Sequence, residues 1–217
     1  MIDFATNRTM MVDTQVRPSD VTKFPIIDAM LSIRREVLVP ATRRDVAYAD
    51  TNISIGPSRV ILEPRSLGKM LDVLDVQSSD MALVIGAAYG YSSAVLARMC
   101  ETVIAVESDA DIASAAETAL LEQGADNVVV LEGELSAGAA KHGPYDVILI
   151  EGAVERVPDA LEHQLKEGGR IVAIFAGDAA GECRLGIKAD GRVNWRLAFH
   201  AGAPIMPGFE AEKTFSL

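Results

Sequence analysis

The chain is short of the residue types that build the commonest reactive centres. Its two cysteines, Cys100 and Cys183, stand far apart in 217 residues and in no metal-binding or redox spacing. Buried or idle thiols in a reducing compartment are therefore expected. The three histidines, His142, His163 and His200, are scattered and form no ligand pair, so no metal site is expected. Basic residues are scarce, 20 against 31 acidic ones, for a net charge of -11 and a pI near 4.7. Attraction to nucleic acid or to an anionic membrane needs clustered Lys and Arg, so neither is expected as a partner. Arg34-Arg35 and Arg43-Arg44 are each followed by an acid and read as solvated helix faces. The opening stretch MIDFATNRTMMVDTQVRP carries acids and no continuous apolar run. It reads as neither signal peptide nor membrane anchor, which leaves the cytoplasm as the expected compartment.

What is present is a large apolar fraction, 49%, enough for a sizeable core and for one domain with peripheral additions. Residues 1–78 read as a helical and loop-rich segment, a lid. Within it, residues 20–39 carry Ile26, Ile27, Met30, Leu31 and Val37 at helical spacing up to Pro40, and residues 53–64 should form an extended loop or short strand. Residues 79–180 alternate strands and helices. The apolar runs MALVIG, TVIAVE, NVVVLEG, YDVILIEG and RIVAIF are continuous, as expected when both faces of a parallel sheet are covered. Between them the pattern predicts a helix from about Tyr91, one with Ile112, Ala115, Ala116, Ala119 and Leu120 inward and Gly124 as its cap, and one around residues 158–166. In residues 181–217, Asp190-Gly191 between two strand-like segments signals a hairpin, hence an antiparallel edge on a mostly parallel sheet. The whole is a single α/β domain.

The most informative segment is LVIGAAYGYSSAVLA, a strand that runs through a glycine turn into a helix. Glycine suits a tight turn that a ligand approaches, and a helix start offers free N–H groups. Glu107 closes the second strand 21 residues after Gly86, a spacing that suits an acceptor for ribose hydroxyls. The dinucleotide fingerprint G-x-G-x-x-G fails, because its second and third glycines fall on Ala88 and Tyr91. A G-x-G-x-G spacing fits better, as Gly86-Ala87-Ala88-Tyr89-Gly90 with alanine in the middle. On these residues alone, a ligand site and a plain glycine turn remain equally open.

Taken together, MVDTQVRPSDV, AMLSIRREVLVPATRRDVAYAD, ISIGPSRVILEP, LVIGAAYGYSSAVLA, VIAVE, NVVVLEGE, YDVILIEGAVERVPDALEHQLKEGGRIV and APIMPGF resemble the protein-L-isoaspartate O-methyltransferases in order and spacing. The resemblance implies a Rossmann-like, class I S-adenosylmethionine-dependent methyltransferase fold. It also implies methylation of the free carboxylate of isoaspartyl residues in damaged proteins, with S-adenosylhomocysteine as product. By position, Gly86, Ala87, Ala88 and Gly90 would line the methionine and ribose end, and Glu107 with its neighbour Ser108 would meet the ribose. Glu134 would approach the adenine, and Glu151 would flank the cofactor. Arg59, Leu62 and Glu63 fall on the substrate loop.

Three positions depart from the family pattern. The loop that reads Gln-Thr-Ile-Ser-x-Pro in relatives is Arg59-Val60-Ile61-Leu62-Glu63-Pro64 here, so Leu62 stands at the serine position. The strand exit Thr-Ala-Ala is Glu151-Gly152-Ala153, and the glycine turn carries Ala88 and Tyr89, whose ring either stacks on the ligand or obstructs it. Arg59 reads either as a partner for an incoming acid or, more simply, as an exposed loop arginine. Glu151 reads either as a sulfonium or hydroxyl partner or as an acid pointing to water. Glu63 reads as a surface charge, and Trp195 and Phe199 as core. Three functions stay open at this point: an isoaspartyl methyltransferase, a non-catalytic relative that acts by binding, and a methyltransferase of small molecules.

Overall fold

The computed structural model describes residues 2–177 and 180–211; residues 212–217, at the end of the expected hairpin region, lie outside the described residues. The chain opens with α1 (Phe4–Met11), capped by the Asp3 carboxylate, which accepts from the N–H groups of Ala5 and Thr6. After a π-helical turn and a 3-10 turn comes α2 (Phe24–Ser32). A small hairpin, β1 (Ile53–Gly56) and β2 (Arg59–Ile61), leads into α3 (Pro64–Leu74). The alternating part then runs β3 (Met81–Ile85), α4 (Tyr91–Ala97), β4 (Thr102–Glu107), α5 (Ala110–Glu122), β5 (Val128–Glu132), β6 (Tyr145–Val154), α6 (Asp159–His163) and β7 (Leu165–Phe175). It closes with β8 (Glu182–Ala189) and β9 (Arg192–His200).

The main sheet has the order β5-β4-β3-β6-β7-β8-β9. Its first five strands are parallel, and β8 and β9 run antiparallel at one edge. At the hairpin tip, Asp190 (φ 53) and Gly191 (φ 75) both adopt left-handed backbone, the conformation that the Asp-Gly pair favours in a two-residue turn. The chain order reverses between β3 and β6, and in open α/β sheets ligands bind beyond the strand ends at such a switch point.

Alternate residues of the strands feed two cores. Ala82, Val84, Val103, Ala105, Val147 and Leu149 face the N-terminal helices with α3 and α4. Leu83, Ile85, Ile104, Val106, Ile148 and Ile150 face Leu161 of α6 together with Met206 and Phe209 of the tail. Helices thus dominate one face, whereas loop and tail residues share the other with a single short helix.

Three expectations need correction. The helix expected over residues 20–39 stops at Ser32, because Ile33 leaves helical backbone (φ -80, ψ 128) and a 3-10 turn follows at Arg35–Val37. Tertiary bonds hold that turn. Arg35, expected on a solvated face, is fully buried; its Nε donates to the Ala47 carbonyl at 2.7 Å and its Nη2 to the Leu62 carbonyl at 2.8 Å. The inward face of α5 differs from the expected one at Ala115, with Ile112 and Ala119 half-buried as expected. Ala113, Ala116 and Leu120 are buried, while Ala115 is exposed. An alanine-rich helix has too little hydrophobic contrast for the pattern to fix its phase.

Candidate active site

The end of β3 is built for close approach. Gly86 (φ 77) and Gly90 (φ 89) take left-handed backbone, and the N–H groups of Gly86 and Ala87 both donate to the Val106 carbonyl, at 3.0 and 3.1 Å. This ties the turn to the exit of β4, where Glu107 sits with no solvent exposure. Ala88 also has positive φ (51), a strained conformation for a residue with a Cβ. Ala88→Gly is expected to stabilise the fold by about 0.5–1 kcal/mol, since relief of strain slightly exceeds the entropy that glycine gives up. Thermal unfolding of the two proteins side by side checks this, and a lower melting temperature in the variant would contradict it.

Glu107 is the electrostatic centre of the site. Its Oε2 accepts from the Ala88 N–H at 2.8 Å, and its Oε1 from the Ser108 N–H at 2.8 Å and the Asp109 N–H at 3.2 Å. Arg59 grips the same carboxylate with both arms, Nη1 to Oε1 at 2.9 Å and Nη2 to Oε2 at 2.6 Å. Burial alone would push this carboxyl up, but Arg59 and the N–H donors more than offset it and hold it below the ordinary carboxylate range. Arg59 is therefore neither an exposed loop residue nor a free cation. It is buried and committed to an acid of its own chain.

A second buried acid lies beside the first. Glu151 does not point to water; it is buried and accepts from the Ser92 hydroxyl and from the Leu62 N–H at 3.4 Å. Burial pushes it up to about 7, against the pull of the Ser92 hydroxyl and the positive charges of Arg35 and Arg59. Arg35 completes this layer by lying over the Tyr91 ring, 4.3 Å from its centroid. Leu62, at the position where relatives carry serine, has a fully buried side chain, and only its backbone serves the polar cluster.

The structure thus brings Arg59, Leu62, Gly86, Ala87, Ala88, Glu107, Ser108 and Glu151 to one place. Gly90 caps the helix behind them, where a Cβ would press on Leu120 at 3.1 Å. Glu134 and Glu63 are engaged elsewhere. Glu134 follows Gly133, whose N–H donates to the Glu107 carbonyl, but its carboxylate is exposed and takes the Ser136 hydroxyl at 2.6 Å. Glu63 stands at the N-cap position of α3, and its carboxylate accepts from the Ser66 hydroxyl at 2.7 Å and from Arg65 Nε at 3.1 Å. Tyr89 is half-buried and lines a groove with Val37, Val39 and Ala119. Trp195 and Phe199 are half-buried on β9, the former stacked edge-on against Phe175 at 4.9 Å. Both cysteines are buried, with thiols pushed up to about 12 by that burial.

Sequence reasoning missed Met206. The tail folds back on β6 through the Met206 N–H to the Ala153 carbonyl at 2.9 Å and the Ala153 N–H to the Pro204 carbonyl at 3.0 Å. This lays Met206 over the glycine turn, where its Sδ would meet a Cβ on Gly86 at 3.0 Å and one on Gly152 at 2.6 Å. Nothing in the local pattern of APIMPGF signals that role, because the contact is made entirely through tertiary folding.

The family model for protein-L-isoaspartate(D-aspartate) O-methyltransferase matches residues 6–184. The chain belongs to this family. Curated members include the protein-L-isoaspartate O-methyltransferase of Koribacter versatilis, 37% identical over 169 residues, which span 78% of this chain and 76% of that one. The Methylorubrum extorquens enzyme of the same name is 36% identical over 190 residues, 88% of this chain and 82% of that one. Among solved structures, one protein-L-isoaspartate O-methyltransferase superposes with a TM-score of 0.80 at 23% identity, over 93% of this chain and 66% of its own length, just under two thirds. A Plasmodium falciparum member, solved with S-adenosyl-L-homocysteine, gives a TM-score of 0.77 at 16% identity, over 94% of this chain and 98% of that one. At those identities the superpositions speak for the fold, a class I methyltransferase sheet; the sequence matches carry the family assignment.

Proposed function

We propose that this protein is an S-adenosylmethionine-dependent methyltransferase that esterifies the free carboxylate of isoaspartyl residues in proteins, with S-adenosylhomocysteine as product. The observation that carries the reading is Glu107, buried at the end of the second parallel strand and aimed at the Gly86–Gly90 turn, in a chain that matches the family over residues 6–184.

The backbone fits the group. The Gly86 turn presents bare backbone beneath the Met206 and Arg59 side chains, and Glu107 has two oxygens matched to a pair of hydroxyls. In the arrangement described, the Arg59 guanidinium holds those oxygens, so the ribose end is accommodated once Arg59 withdraws. Glu107 and Ser108 would then hold the ribose, and the Gly86–Ala88 backbone the neighbouring atoms. Bound there, the cofactor supplies an electrophilic methyl group. The acceptor carboxylate, with a pKa of about 4, is already ionised at neutral pH and needs no general base, so the chain's task is to bring the reactants together and align them. Glu151, pushed up to about 7, holds its proton through the acid side of neutrality and leaves the cradle floor one negative charge lighter there.

The other assignments follow as parts of the same reading. Residues 1–78 form the layer that covers one face of the α/β core of residues 79–180 and carry Arg59 to the cradle, and the hairpin region from 181 closes the far edge. Among the described residues no helix is long and apolar enough to cross a membrane. With a net charge of -11, neither nucleic acid nor membrane enters as a partner, and the cytoplasm is the compartment.

Purified protein incubated with methyl-labelled cofactor should transfer base-labile label to an isoaspartyl peptide and not to its aspartyl counterpart. No label above a blank would remove the catalytic reading. A second reading, binding without transfer, draws on the buried Leu62 and the Arg59–Glu107 pair. Cofactor binding with no ester formed on the same peptides would favour it.

A further inference from the structure

We propose that Arg59 is an internal competitor for the cofactor cradle, occupying Glu107 in the free protein and having to leave it before adenosine can enter. The inference rests on the reading of the cradle as a cofactor site and adds the residue that sets its affinity.

Three observations carry it. First, Glu107 has no acceptor capacity to spare. A carboxylate offers about four lone-pair sites, and four donors approach within 2.9 Å, namely both Arg59 arms and the N–H groups of Ala88 and Ser108. The backbone donors are fixed by the turn. Arg59 is the one a pair of ribose hydroxyls can replace, because they too would donate to both oxygens.

Second, the guanidinium stands in the approach to the glycine turn itself. Arg59 Nη2 lies 3.4 Å from where a Cβ on Gly86 would be, beside Met206 Sδ at 3.0 Å, so both side chains stand over the bare backbone of the turn. Ligand and guanidinium cannot share it. Third, the arginine stands at the first residue of its strand, next to an exposed turn. Strand β2 has three residues and pairs only with β1, through a register interrupted by a bulge between Ser54 and Gly56. Pro57 and Ser58 at its tip are exposed, and Ser58 has positive φ (57). Val60 and Ile61 beside Arg59 are buried in the core, so the release needs the Arg59 side chain to turn about its own bonds and leaves the strand in place. The pair is also imperfect on the arginine side, where Nε is buried with no hydrogen-bond partner among the described residues.

The consequence is quantitative. When only a fraction of molecules has the cradle open, the apparent dissociation constant is the intrinsic one divided by that fraction. Weakening the Arg59–Glu107 pair should therefore tighten cofactor binding, the opposite of what a residue that contacts the ligand would do.

Calorimetric titration of S-adenosylhomocysteine into the full-length protein and into Arg59→Gln tests this, with folding of each checked by thermal unfolding. The expected result is at least tenfold tighter binding to Arg59→Gln, with Arg59→Lys, a point charge without the two-armed grip, in between. Should Arg59→Gln fail to fold, Arg59→Lys against the parent carries the comparison. Measurable binding to the parent with equal or weaker binding to the variants would overturn the competitor role and leave the cofactor reading standing. No binding to any of the folded proteins at millimolar ligand would overturn both.

Discussion

Arg59→Met is expected to lower the stability of the fold by about 3–5 kcal/mol at pH 7.5, the range found when one partner of a buried ion pair is removed. The cause is not the lost contact itself but the charge left behind. Glu107 has no solvent exposure, and without the guanidinium only backbone N–H groups and the Ser108 hydroxyl remain to hold its carboxylate. The pH dependence separates this from a packing defect. In the parent protein Glu107 is held below the ordinary carboxylate range, so its contribution is complete above that range and is lost as pH falls through the lowered value. In the variant, burial dominates and the folded state retains a proton to higher pH, so the variant's own stability rises as pH falls. The deficit should be widest at neutral pH and shrink towards pH 4. Urea unfolding at pH 5 and 7.5 measures it; a small deficit that does not change with pH would contradict the account.

Glu151→Gln should act in the opposite direction. The folded value of about 7 against an ordinary 4.5 means that the folded state binds more protons than the unfolded one between those limits. Stability therefore falls as pH rises through that window, by about 3 kcal/mol in total at about 1.4 kcal/mol per unit, and then levels off. Glutamine removes the titration while still accepting from Ser92 or Leu62. The variant should match the parent near pH 4.5 and exceed it by up to about 3 kcal/mol at pH 8. Parallel stability curves for the two proteins across pH 4.5–8 would show that Glu151 does not carry this burden.

Sequence made the sheet legible because its strands announce themselves twice. Runs such as Leu83–Ile85 and Ile148–Ile150 are apolar enough to be buried on both faces, and glycines or acids mark where they end. The Asp190-Gly191 turn was readable for the same local reason, since few pairs tolerate two consecutive left-handed residues. Within the site, Gly86, Ala88 and Glu107 could be placed because their spacing follows from one strand-turn-helix unit and the strand beside it.

What sequence could not supply was the partner of each charge. Arg35 and Arg59 look like surface residues in any composition-based view, since arginine is mostly exposed. Both are buried because distant segments converge on them: Ala47 and Leu62 on the first, Glu107 on the second. Glu151 belongs to the same class. Its environment comes from Ser92 and Leu62, 59 and 89 residues away along the chain. Met206 reaches Gly86 only because the tail returns to β6. The strained φ of Ala88 was likewise invisible, although the alanine in place of glycine was the hint.

The most direct test is a crystal structure of the full-length protein grown with saturating S-adenosylhomocysteine. The expected map shows the ribose hydroxyls on the Glu107 carboxylate and the Arg59 side chain turned away from it. A map in which both Arg59 contacts persist at 2.6 and 2.9 Å, with the ligand absent or bound elsewhere, would contradict the assignment of this cradle to the cofactor.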